Sequence, residues 1–142
     1  LEAIEAADVI ILGPGSLYTS IIPNLLVKDL TAALANSKAK KVYVVNVMTQ
    51  PGETTGYTAG DHVEAIIKHS RGDIIQHVVV NTEIIPENLL DRYLTDCSEP
   101  VVCDSEKILK MGYNVVAGHV INPTNVVRHS PVKLAKVIMA LV

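Results

Sequence analysis

The sequence predicts an α/β fold: three layers, α/β/α, around a mostly parallel, Rossmann-like sheet. Three observations predict it. Short apolar runs (Val9–Leu12, Val42–Val47, Val78–Val80) alternate with helical stretches, and that order produces parallel strands joined by right-handed crossovers. The runs are continuous rather than alternating, as expected of strands buried on both faces. There is no Trp and no Phe, while Val, Ile and Leu make up about a third of the chain. An aromatic-poor, β-branched core suits buried parallel strands better than a sandwich or a base-stacking platform.

Taken in order, Leu1 to Ala7 is helix-forming and ends at Asp8. No Ser, Thr, Asp or Asn precedes it as a cap, and the chain starts on Leu rather than Met. A helix entered mid-stride suggests a fragment of a longer chain, one lacking its N-terminal part. Val9–Leu12 is a strand running into the turn Gly13-Pro14-Gly15-Ser16. A helix is expected from Pro23 to Asn36, because Pro suits a first helical turn and Leu26, Leu30, Ala33 and Leu34 keep helical spacing. Lys38 to Lys41 reads as a basic turn, Val42–Val47 as a strand, and Met48 to Gly56 as a polar loop.

Thr58 caps a helix running to about Ser70, with Asp61 completing a capping box, and Arg71-Gly72-Asp73 stops it. His77–Asn81 is a third strand and Glu87–Thr95 a short helix. Val101–Cys103 reads as a short strand, and Ser105 as the cap of a helix ending at Gly112. Val115–Ile121 is a last strand, and Ser130-Pro131 opens a terminal helix reaching Val142.

Composition excludes several classes. Apolar residues are 49% and charged residues 19%, enough apolar surface to offset chain entropy, so the chain is not disordered. The net charge of −3 lacks the basic face that phosphate neutralisation needs, which argues against a nucleic-acid partner. The longest purely apolar run, Val137 to Val142, falls far short of the roughly 18 residues of a membrane span. Cys97 and Cys103 lack metal spacing and read as reduced thiols in a cytoplasmic protein. Homo-oligomerisation is left open.

In sheets of this kind ligands bind at the carboxyl ends of the strands. After the first strand stand Gly13, Gly15 and Ser16, with Tyr18, Thr19 and Ser20 close behind. Glycines let backbone N–H groups approach a phosphate, and hydroxyls add donors. The turn is neither a Walker loop nor a dinucleotide fingerprint. The second and third strands both end in Val-Val-Asn, placing carboxamides at Asn46 and Asn81. Thr49 and Gln50 lie in the polar loop that follows. Asp61 and His62 occupy the first turn of the next helix, at the same edge. On a helical wheel Val63, Ile66, Ile67 and Ser70 face inward, Asp61, Glu64 and Lys68 face water, and His62 sits on the border. His69 shares that angle about 10 Å along the axis, so the two histidines do not form a metal site. Asp104, Asn122, Asn125 and His129 read as loop chemistry, and His119 as structural. No Ser-His-Asp or Cys-His order forces a hydrolase reading.

The stretch Gly13-Pro14-Gly15-Ser16-Leu17-Tyr18-Thr19-Ser20-Ile21-Ile22-Pro23-Asn24-Leu25-Leu26 resembles one family, as do Asn46-Val47-Met48-Thr49-Gln50-Pro51-Gly52-Glu53-Thr54 and Gly60-Asp61-His62. It is the bacterial gluconeogenesis factor family, relatives of 2-phospho-L-lactate transferase. The resemblance implies a three-layer fold of roughly twice this length, of which residues 1–142 would be the C-terminal part of a single α/β domain whose N-terminal nucleotide-loop half is absent. It also implies a nucleotide-sugar-binding regulatory protein for growth on gluconeogenic carbon and for cell shape and cell-wall morphogenesis. Gly13, Gly15, Ser16, Thr19, Ser20, Asn46, Thr49, Gln50 and Asn81 would then contact the nucleotide or order its crevice. The alternative is a transferase of phosphorus-containing groups acting on a nucleotide-activated phosphoester. There Asp61 holds Mg2+ or acts as a base, and His62 stabilises developing charge.

Overall fold

A computed structural model describes residues 1–70, 73–123 and 126–141. The expected helix stop at Arg71-Gly72, and Asn125 and Val142, lie outside the described residues. Four parallel strands form the sheet in the order β1 (Val9–Leu12), β2 (Lys40–Val44), β3 (His77–Asn81) and β4 (Asn114–Gly118). The helices are α1 (Glu2–Glu5), α2 (Ile22–Leu25), α3 (Lys28–Asn36), α4 (Ala59–His69), α5 (Glu87–Thr95), α6 (Ser105–Lys110) and α7 (Pro131–Met139). The period of two along each strand divides the core. Tyr43, Val45, Val78 and Val80 pack with Leu25, Leu34, Val63, Ile66 and Ile108, from α2, α3, α4 and α6. Val42, Val44 and Val79 pack on the other face with Leu134 and Ile138 of α7. That is the three-layer arrangement the sequence predicts.

Several boundaries differ from expectation. The helix expected over Pro23–Asn36 is broken. A π-helical turn (Leu17–Ile21) runs into α2, and Val27 then turns extended, at φ −75° and ψ 108°, before α3 starts. The buried Thr31 holds this break, donating its hydroxyl to the carbonyls of Leu25 (2.5 Å) and Val27 (3.1 Å). The basic turn is shorter than expected, because Lys40 and Lys41 open β2. Lys41 is 4% exposed and donates Nζ to the Asp73 carbonyl (3.0 Å).

Val101–Cys103 is extended but forms no strand. Its backbone bonds run to Val47 on one side and Ala59 on the other, so it laces loops together. Asp104, not Ser105, is the N-cap residue of α6. The last strand ends at Gly118, and the chain then forms an antiparallel hairpin of β5 (Ile121–Pro123) and β6 (Val127–His129). With Val47, Ile85 and Leu89, this hairpin builds a small apolar cluster over the carboxyl edge of the sheet. The terminal helix starts as expected, with Ser130 accepting from Lys133 N, and ends at Met139.

Candidate functional site

The turn after β1 is shaped by close approach. Gly13 has φ +84°, and a Cβ there would stand 3.0 Å from the Val44 carbonyl oxygen, so only glycine lets the turn lie against the end of β2. Pro14 follows through a cis peptide bond. Asn46 reaches across from the β2 end and accepts the Gly15 N–H at 3.2 Å. Ser16 donates its hydroxyl to the Glu53 carboxylate (2.7 and 2.8 Å), and Thr19 donates to Ser16 Oγ at 2.6 Å. Asn46 Nδ2 in turn lies 3.4 Å from Gln50 Oε1. Gly13, Gly15, Ser16, Thr19, Asn46 and Gln50 are therefore one connected group.

The remaining expected residues are turned to backbone partners. Thr49 is 3% exposed and staples two loops: its Oγ1 accepts from Glu99 N (2.9 Å) and its carbonyl accepts from Ser98 Oγ (2.6 Å). Ser20 is exposed, and its carbonyl accepts from Asn24 Nδ2. Asn81 sits at the carboxyl end of β3. It donates to the Glu83 carbonyl (3.0 Å) and accepts from Glu83 N and Val120 N (3.3 Å each), pinning the loop beyond β4.

Two positions need correction. Asp61 does not simply face water. Its Oδ2 accepts from Thr58 N (2.8 Å) and Thr58 Oγ1 (3.0 Å), and its Oδ1 accepts from Lys107 Nζ (2.6 Å). Burial pushes its carboxyl up, but the bonds from Lys107 and Thr58 outweigh that and hold it below the ordinary carboxylate range. The hydrogen bonds Lys107 donates to Asp61 and Glu64 push its own pKa up in return. Lys107 Nζ, 2.6 Å from Oδ1, already supplies the positive charge at this carboxylate, so the arrangement present does not fit a divalent cation such as Mg2+. No group of three or more His, Cys, Asp or Glu among the described residues is placed to hold a metal.

His62 is not on the border but fully buried, at 0% exposure. Its Nδ1–H donates to the Thr58 carbonyl at 2.8 Å, and its ring meets Tyr57 edge-on at 5.6 Å. Burial pulls its pKa down, so it is a neutral core residue. The first-turn N–H groups of α4 are meanwhile satisfied from within. Asp104 accepts from Gly60 N (2.7 Å) and Thr58 Oγ1 (2.6 Å), filling the place an anionic ligand would take.

A cavity of about 390 Å3 opens at the carboxyl edge, lined by Pro14, Asn46, Val47, Met48, Tyr93, Val127, Arg128 and His129. Arg128 and His129 come from β6; the sequence singles out His129 alone, as loop chemistry, and Arg128 not at all. Tyr93 steadies β6 by accepting the Val127 N–H at its hydroxyl oxygen (2.8 Å). His129 bonds the Val45 backbone through its ring, and burial pulls its pKa down. The legible signal was the Val-Val-Arg-His run after Asn122-Pro123, too short to register as a strand. A cavity of about 460 Å3 at the amino ends of β1 and β2, among Glu5, Asp8, Asn36 and Lys38, is on the wrong edge for this architecture.

Residues 1–121 match the family described as 2-phospho-L-lactate transferase CofD. The chain belongs to that family. Within the family's reach, it is 44% identical over 140 residues to the gluconeogenesis factor of Halalkalibacterium halodurans, covering 98% of this chain and 44% of the relative. It is 44% identical over 142 residues to the gluconeogenesis factor of Bacillus subtilis, covering 99% and 45%. A crystal structure of a UPF0052 family member from Bacillus halodurans superposes with a TM-score of 0.95 at 43% identity, covering 97% of this chain and 44% of that one. The chain thus spans less than half the length of these relatives.

Proposed function

We propose that this chain contributes the carboxyl-edge part of a nucleotide-sugar site in a cytoplasmic regulatory protein of the gluconeogenesis factor kind. Such a protein would serve growth on gluconeogenic carbon and cell-shape control. One observation carries the reading: the cavity where Arg128 and Asn46 come together beside the Gly13–Ser16 turn. A guanidinium supplies forked donors for phosphate oxygens. Pro14, Val47 and Met48 supply an apolar wall for a ring. Asn46, accepting the Gly15 N–H, fixes the turn as a wall of this cavity. The names of the relatives support the regulatory reading. The transferase reading has the family description behind it, but its acid–base pair, Asp61 and His62, is committed to the helix start and the core.

The test is a thermal-shift screen of the intact protein with uridine, guanosine and nicotinamide nucleotides and nucleotide sugars, with and without Mg2+. A ligand at a hundred times its dissociation constant adds about 2.7 kcal/mol. A shift that Arg128→Ala abolishes supports the site. No shift with any nucleotide removes it.

A further inference from the structure

Tyr93 stands where the two walls of the carboxyl-edge cavity are tied together. One wall is β6, which brings Arg128; the other is the segment after β2, which brings Asn46, Val47 and Met48. Among the described residues β6 pairs only with β5, over three residues. So short a hairpin is marginal by itself, and its place beside the sheet depends on bonds outside the ladder. The Val127 N–H donates to the Tyr93 hydroxyl oxygen (2.8 Å), the His129 ring bonds the Val45 backbone, and the Ser130 N–H donates to the Val120 carbonyl (2.7 Å). Arg128 lies between the first two of these tethers.

The same tyrosine is tied to the opposite wall. It sits in the last turn of α5, and its carbonyl accepts from Asp96 N (3.0 Å) and Ser98 N (2.9 Å), which turns the chain back toward the sheet. At that bend Cys97 takes φ 55°, a conformation that a residue with a Cβ keeps only where its surroundings impose it. The strap that follows is laced to the segment after β2. Ser98 Oγ donates to the Thr49 carbonyl (2.6 Å), Glu99 N to Thr49 Oγ1 (2.9 Å), Thr49 N to the Glu99 carbonyl (2.7 Å) and Val101 N to the Val47 carbonyl (2.8 Å). Thr49 and Ser98 are buried, so these bonds are shielded from water. Tyr93 thus joins the walls, its backbone tied to one through the strap and its hydroxyl to the other. A tyrosine side chain has only two torsions, which makes it a link of nearly fixed length. Its ring packs on Val47, Ile85 and Leu89, which holds it in place. A guanidinium recognises phosphate through a planar fork, and such a contact needs placement to within about 0.5 Å.

We infer that Tyr93 is the positioning residue of this cavity: through the Val127 N–H it holds β6 at the distance from the Val47–Thr49 wall at which Arg128 meets a ligand's phosphates. This rests on the nucleotide-sugar reading proposed above. The experiment is isothermal titration of the intact protein with UDP-glucose and with GDP-glucose, for the wild type, Tyr93→Phe, Arg128→Lys and the double variant. Tyr93→Phe removes one oxygen and keeps the ring, so the apolar cluster beneath it stays filled. Lysine at 128 keeps the charge on a flexible stem, so binding stays measurable while the fork is lost. For the conjugate that the wild type binds, each single change should weaken binding by about tenfold, and the double change by about tenfold as well, because Tyr93 acts through Arg128. A double variant weaker by about a hundredfold, the product of two independent effects, overturns the positioning role. So does a Tyr93→Phe protein that binds as the wild type does, whatever happens to its melting point; a tyrosine that served only the fold would give that result. If Arg128→Lys binds as the wild type does, the phosphate contact itself fails, and the positioning role with it. A wild type that binds neither conjugate overturns the nucleotide-sugar reading and this inference together.

Discussion

Asp61 shows how fully a fold can engage one carboxylate. Its oxygens close the capping box with Thr58 and pair with Lys107. We expect Asp61→Ala to cost about 1–2 kcal/mol in urea denaturation, most of it the cap, because a half-exposed ion pair adds at most about 1 kcal/mol. Nucleotide affinity of the intact protein should stay within twofold; a tenfold loss would return Asp61 to the site. Asn46 is expected to differ. Asn46→Ala would leave the Gly15 N–H without its partner, at about 1–2 kcal/mol, and should also weaken nucleotide binding in the same titration. The Thr58–Asp61 box was readable from spacing alone, since both partners lie in one turn. The depth of His62 was not, because a helical wheel counts only the helix's own residues, and here Tyr57 from the preceding loop closes over the ring.

At the scale of elements, the start of α4 depends on a neighbour. Asp104, at the head of α6, caps α4 through Gly60 and Thr58. A Cβ on Gly60 would stand 2.7 Å from Asp104 Oδ2 and 2.7 Å from Lys107 Cδ. Alanine is the better helix former by about 1 kcal/mol, yet Gly60→Ala should lower the melting point, because the carboxylate must leave the helix end to make room. An unchanged or higher melting point would show that Asp104 can move without loss. Strands β1 to β3 were legible as unbroken apolar runs, and α4 because its apolar residues repeat at the helical period. The break at Val27 was not, because Leu26, Leu30 and Leu34 keep helical spacing straight through it. The decisive group is a hydroxyl, Thr31, bonding two carbonyls. The β5–β6 hairpin escaped for the opposite reason: three residues per strand are too few to show any period.

For the whole molecule, acid should be destabilising in two steps. His62 and His129 are held neutral by burial, each below its ordinary 6.5. Above the unfolded value both states are neutral and stability is full. Below it, the unfolded chain takes protons that the native chain refuses. Stability then falls by up to about 1.4 kcal/mol per pH unit for each histidine, until the native values are passed. The lowered Asp61 acts with the same sign further down, below about 3.8. Urea midpoints measured from pH 7.5 to 5.5 should therefore decline, and His62→Gln with His129→Gln should flatten the decline. A midpoint independent of pH in the wild type would contradict it.

Three side-chain bonds tie the turn after β1 to the loop after β2 like rungs: Gly15 to Asn46, Ser16 to Glu53, and Tyr18 to Tyr57. Segments tied at both ends and the middle breathe as a unit, like a zipper that cannot part at one tooth. A molecule gripped beside Arg128 should therefore quiet the backbone around Tyr57 that it never touches. In deuterium exchange of the intact protein, protection should rise together across 13–19 and 46–57 when nucleotide is added. Glu53→Ala, cutting the middle rung, should split that rise into two halves with separate rates.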